Sequence, residues 1–267
     1  MGEMARDNEE VEDNEEVDEL RIGLIADIHS NVVALEAVLT ELAREPVDHL
    51  ICLGDVAAIG PHPREVITRL RTLGCPVTMG NTDAWLFAPP TLAGASERVR
   101  LMLDITHWNA QQLSTDDLAY VRAFPLTVEI ALDDGGLLLC YHGSPRSFDD
   151  VLAATTPDQE VARLLAGVQA TVLVGGHTHI QMVRRYEDVH LINVGSVGLP
   201  GVTEGSPELP RPPAEVRWAE YGILHVGGGH LGIHLRRTAL DIAAVRQAAR
   251  DTGMPHTDWW LRRWARV

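Results

Sequence analysis

The chain has 267 residues, enough for one large domain or two small ones, and its 45% hydrophobic content can fill a substantial core. A formal net charge of −16 excludes the broad cationic surface that nonspecific binding to a polynucleotide or an anionic membrane would need. No basic segment followed by an apolar stretch opens the chain and no apolar run approaches the roughly 18 residues of a bilayer span, so a cytoplasmic protein without a membrane partner is expected.

Residues 3–19 carry ten acidic side chains against Arg6 alone, so residues 1–19 read as a disordered, solvated tail. The apolar run from Arg21 to Ala26 stops at Asp27, the pattern of a buried strand that delivers a polar loop. Asn31 to Arg44 then places Val33, Leu35, Val38, Leu39 and Leu42 at helical spacing, with Ser30 as the expected cap. A strand at 48–53, a Gly/Pro loop at 54–63, a helix near 64–73 and a strand at 76–79 running into Gly80-Asn81 repeat the unit, which predicts parallel strands. Residues 95–123 read as two polar-faced helices forming a flap, the second opened by the capping box of Ser114 and Asp117.

Strands at 126–132 and 136–141, joined through Asp133-Asp134-Gly135-Gly136, bring in a hairpin. Strands near 171–174, 181–186, 189–193, 219–226 and 230–236 and a helix at 238–250 complete a body over residues 20–250. Parallel units followed by hairpins predict an α/β fold of two mixed sheets packed face to face with helices outside. In the remaining segment, 251–267, Trp259, Trp260 and Trp264 alternate with arginines. They read as packing on the body or as a dimer contact, which leaves a homo-oligomer open, rather than as a stacking platform for nucleic acid. Cys52, Cys75 and Cys140 lie far apart in or beside apolar runs and read as reduced core residues.

Five polar clusters stand where an apolar strand stops: Asp27-Ile28-His29, Gly54-Asp55, Gly80-Asn81, His142-Gly143 and Gly176-His177-Thr178-His179. The carboxyl ends of strands in α/β sheets converge on one crevice, so these loops can gather two Asp, one Asn and four His around a point. One ion cannot use all seven, and the mixture of oxygen and imidazole donors suits Mn, Fe, Zn or Ni. Two dications against two carboxylates and a hydroxide leave about one positive charge, which attracts a phosphate ester.

In order and spacing, D-x-H, G-D, G-N-x-D, H-G and G-H-x-H resemble the motifs of the calcineurin-like metallophosphoesterases. Gly60-Pro61, His142-Gly143-Ser144-Pro145 and the segment Asn193 to Gly198 are similar to the small bacterial and archaeal phosphodiesterase-like branch. The resemblance implies a four-layer αββα sandwich. It implies that Asp27, His29 and His179 hold one divalent ion, that Asn81, His142 and His177 hold a second, and that Asp55 bridges them, with Mn first among the candidate metals. Asp55, Asn81 and His142 would thereby serve catalysis, in which a metal-bridging hydroxide attacks phosphorus in line.

The implied substrate is a small phosphate ester, with a phosphodiester first and a phosphomonoester as the alternative. A noncatalytic interaction scaffold of the same fold is the reading from another class, and retention of all seven ligand types weighs against it. The sequence departs from the family where Thr82 replaces the histidine of G-N-H-D beside Asp83, since a threonine hydroxyl cannot act as an acid near neutral pH. His62, after Gly60-Pro61, is the residue that could stand in as acid or phosphate contact, a surface histidine being the plainer reading. Asn193 and Ser196 read as substrate or supporting contacts, or as turn formers.

Overall fold

The computed structural model describes residues 19–132, 135–201 and 215–264. The acidic segment to residue 18, Asp133-Asp134, the loop 202–214 and the last three residues lie outside the described residues.

One sheet is built from β1 (Leu20–Ile25), β2 (His49–Cys52), β8 (Trp218–Gly227) and β9 (His230–Ala239), in the order β2-β1-β8-β9. The other uses β3 (Val128–Ala131), β4 (Leu137–Cys140), β5 (Val172–Gly175), β6 (Met182–Tyr186) and β7 (Val189–Asn193), in the order β3-β4-β5-β7-β6. β1 runs parallel to β2 and antiparallel to β8, while β4, β5 and β7 run parallel between antiparallel edge strands.

The period of two along each strand sorts side chains between layers. Ile22, Leu24 and Ala26 meet Leu138, Cys140, Val172, Val174 and Ile192 between the sheets. The alternate residues face outwards: Ile25, Cys52, Tyr221 and Ile223 pack under helices, and Leu139, Tyr141, Leu173 and Leu191 under α6 (Asp158–Leu164). Helices α1 (Val32–Arg44), α2 (Pro63–Leu73), α4 (Glu97–Gln112) and α7 (Ile242–Asp251) supply the helical layer on the first sheet. This is the αββα sandwich.

Several boundaries moved for local reasons. The cap of α1 is Asn31, whose Oδ1 accepts from the Ala34 amide at 3.2 Å, because Ser30 sits in the left-handed region at φ 52° and its hydroxyl finds no partner. The strand expected at 76–79 is reduced to one bridge, Val77 to Cys52: Pro76 has no amide to extend the ladder. Thr238 and Ala239, expected in the last helix, belong to β9, and α7 opens on an Asp241 cap. Gly80-Asn81, expected as loop, opens a short helix, α3 (Asn81–Trp85).

The helices of 95–123 form as α4 and α5 (Thr115–Arg122), with the capping box in place, and α4 is part of the body because Met102 and Ile105 enter the core. The C-terminal segment forms α8 (Thr257–Leu261). Trp260 and Trp264 are buried, and the Trp260 indole donates to Ile59 O at 2.8 Å. Among the described residues no helix is long and apolar enough to cross a membrane.

Candidate metal centre

Every parallel strand delivers its successor residues to one edge of the sandwich. Asp27 and His29 follow β1, Asp55 follows β2, His142 follows β4, and His177 and His179 follow β5. Asp27, His29, Asp55, His177 and His179 all have positive φ, between 46° and 68°. Such a backbone costs on the order of 1–3 kcal/mol for a residue with a Cβ, and five cases among seven candidate ligands mark a place where the fold holds side chains against local preference. The turns also need room. A Cβ on Gly80 would lie 2.1 Å from Asp55 Oδ1, and one on Gly176 would lie 2.6 Å from Asp27 Oδ2.

The imidazoles share one arrangement. His29, His142 and His179 place Nδ1 at 3.2, 2.7 and 2.8 Å from the carbonyl oxygens of Ala58, Leu53 and Leu199, which can only accept, so each Nδ1 carries a proton and, in the neutral ring, Nε2 is the acceptor. His29 Nε2 and His179 Nε2 then lie 3.1 Å apart, and His179 Nε2 lies 3.1 Å from Asp27 Oδ1, a buried oxygen without a hydrogen-bond partner. Two ring nitrogens and a carboxylate oxygen this close together fit a shared cation, since ligands of one ion at about 2.1 Å sit roughly 3–4 Å apart. Ligand atoms of Asp27, His29, Asp55 and His179 all fall within 4.8 Å of one another, a group that could hold a metal ion.

A second set adjoins the first. His142 Nε2 lies 3.1 Å from Asn81 Oδ1 and 3.5 Å from Asp55 Oδ2, and the His177 ring is 5.1 Å from that of His142. Asp55 Oδ2 is also 3.7 Å from His29 Nε2, so one carboxylate faces both sets. Burial penalises a charge on His142, but the Asp55 and Asp27 carboxylates override it and push its pKa up to about 10, whereas burial lowers His29 and His177 to about 4. Burial works against Asp55 as a carboxylate too, and the neighbouring imidazoles outweigh it, holding the group well below the usual range. The carboxylates demand a positive partner, a place that a metal ion could take instead of a proton.

The remaining expected residues divide. The Thr82 amide donates to Asp55 Oδ1 at 2.9 Å, and its buried hydroxyl has no partner. Asp83 turns away from the centre to accept from the amides of Val56, Ala57 and Gly80, so it shapes the loop after Asp55. His62 is tied to the site through its backbone, its N–H donating to Ser30 O at 2.7 Å. No hydrogen bond or ion pair joins its ring to the cluster, and it caps α2 without a side-chain bond. Asn193 donates to Gly176 O and Thr178 Oγ1, and Ser196 Oγ donates to Asp27 O at 2.8 Å, so both fasten ligand-bearing loops.

Two supports belong to no motif of the sequence. Asn109 on α4 accepts from the Ile59 amide and donates to Gly60 O, holding the loop beyond Asp55. Its signal is a polar residue on the helical stripe of Met102 and Ile105. Gln181 donates to Val194 O, just beyond β7 of one sheet, and to Tyr221 O and Arg236 O in the other, fastening the two at the edge that carries the site.

Known proteins share this chain's family and fold. Residues 20–208 match the calcineurin-like phosphoesterase superfamily domain. An uncharacterised protein of Methanocaldococcus jannaschii is 26% identical over 202 residues, 69% of this chain and 80% of that protein. The crystal structure of a metallophosphoesterase from Sphaerobacter thermophilus superposes with a TM-score of 0.66 at 26% identity, covering 91% of this chain and 97% of the other. A hypothetical protein of Pyrococcus horikoshii shares the fold with a TM-score of 0.73 at 18% identity, covering 93% and 100%.

Proposed function

The chain belongs to the calcineurin-like phosphoesterase superfamily, and on that premise we propose that it is a dinuclear-metal-dependent phosphodiesterase acting on small soluble phosphate esters. The observation that carries the proposal is Asp55 Oδ2, placed 3.7 Å from His29 Nε2 on one side and 3.5 Å from His142 Nε2 on the other, where one carboxylate can serve two ions. Asp27, His29 and His179 would complete one ion's ligands, and Asn81, His142 and His177 the other's. When bound, the ions supply positive charge against the transferring phosphoryl group and make a water acidic enough to attack near neutral pH.

The chain's own residues do the rest. Carbonyl partners fix the tautomers of His29, His142 and His179, so that Nε2 faces inwards. The Thr82 amide orients Asp55. With no histidine at this position to protonate a leaving oxygen, esters with good leaving groups are expected to react best.

The test is Asp55→Asn, assayed for metal content and for hydrolysis of bis-p-nitrophenyl phosphate after loading stripped protein with Mn, Fe, Zn, Ni or Mg. Loss of at least one ion together with a fall of about 10²-fold or more in turnover is expected. Normal metal content with full turnover would remove the bridge, and p-nitrophenyl phosphate assayed alongside ranks diester against monoester.

A further inference from the structure

A pocket of about 280 Å³ lies along β6. One of its lining residues is Thr178, which stands in the chain between His177 and His179. Ala153, Ala154, Ile180, Met182 and Val183 make its walls apolar, and none of its lining residues is charged. Sites that enclose a whole small molecule span about 300–1,000 Å³, so this space suits one part of a ligand.

The pocket is held open by the fold. The Arg184 guanidinium donates to the carbonyls of Ala153, Ala154 and Thr156 at 3.2, 3.4 and 2.6 Å, and to Asp158 at 2.5 Å. The nearby cation is therefore spent on the wall rather than offered to a ligand. Gln181 also lines the space, and its amide nitrogen is taken by three backbone carbonyls, so its carbonyl oxygen is what it has left to offer. Val183 is 52% exposed, a large apolar side chain that the fold leaves uncovered.

We infer that this pocket receives the organic part of the phosphate ester, an uncharged and largely apolar group of one or two rings, while the phosphate lies at the ligand cluster. The inference rests on the phosphoesterase reading above and narrows its substrate class. A second phosphate or a carboxylate in the pocket would lose its water without gaining a cation, and the many polar atoms of a nucleoside would meet few partners. An aromatic or alkyl group meets apolar walls on one side and finds in the Gln181 carbonyl an acceptor for a single donor.

The probe is 1-naphthol, the uncharged alcohol of a naphthyl ester, titrated by fluorescence into the full chain and into Ala154→Phe, which fills the space from an exposed position. Its Kd should rise at least about tenfold in the variant, and Val183→Glu, which sets a charge at the rim, should weaken it as well. In metal-loaded protein kcat/KM for 1-naphthyl methyl phosphate should fall by a similar factor. Hydrolysis with equal 1-naphthol affinity in all three chains overturns the pocket. Tight, variant-sensitive 1-naphthol binding in a metal-loaded protein that cuts no ester supports the pocket and removes the hydrolytic reading instead.

Discussion

The hydroxyl of Thr82 is buried without a partner, although the amide of the same residue holds Asp55. An unpaired buried hydroxyl contributes nothing to folding, so Thr82→Val should leave the Tm unchanged or slightly raised. If that hydroxyl donates to the substrate, the same variant should lose roughly tenfold in kcat/KM, and an unchanged kcat/KM would exclude the contact. Glu220 presents the opposite balance. Its Oε1 accepts from Trp218 and Arg237, but its Oε2 is buried and unpartnered, and burial raises its pKa from 4.5. A carboxyl with a raised folded pKa contributes most below its unfolded pKa and loses that contribution as pH climbs through the folded value. Glu220→Gln should therefore gain on the wild type in thermal unfolding as pH rises above the ordinary carboxylate range, and a constant Tm difference would argue against strain at this site. The convergence of Asp27, His29, Asp55 and His179 was legible because each ends an apolar run. The roles of Asn109 and Gln181 were not, because their partners are backbone groups in distant segments that no local pattern encodes.

At the scale of elements, the C-terminal α8 bears on the centre through one bond, from Trp260 to Ile59 O, in the loop that follows Asp55. Ile59 itself has φ 64°, so the loop depends on neighbours to keep its shape. Trp260→Ala should cost about 3–5 kcal/mol by chemical denaturation and lower metal affinity as well. A stability loss with unaltered metal binding would confine the helix to a packing role. Strands were read more surely than short helices: apolar runs ending in polar residues announce a buried strand. The five residues of α3 and of α8 carry too little periodicity to announce themselves, and Asp83 caps α3 from within a stretch that looks like a metal loop. The tryptophans among arginines read as packing on the body or as a dimer contact, and the fold buries two of the rings, Trp260 and Trp264.

For the whole molecule, a net charge of −16 repels the anions that the centre is built to attract, and ten of the acidic residues fall within residues 3–19. Removing residues 1–18 should raise kcat/KM for an anionic ester in low salt, and the gain should vanish once the Debye length falls to about 3 Å near 1 M salt. A gain that survives high salt would point away from electrostatics.

The two-sheet architecture was legible because parallel βαβ units precede hairpins. The order of strands was not, since β8 returns from the far end of the chain to lie against β1. That return, and the Gln181 amide shared between sheets, decide when the molecule acquires chemistry. Asp27 and Asp55 are synthesised early and belong to the first sheet, whereas His177, whose amide meets Asp27 from 150 residues downstream, leaves the ribosome much later with the second. The full ligand cluster therefore exists only once the two sheets have docked, and a cation held by all of it would tie together elements that the chain makes far apart in time.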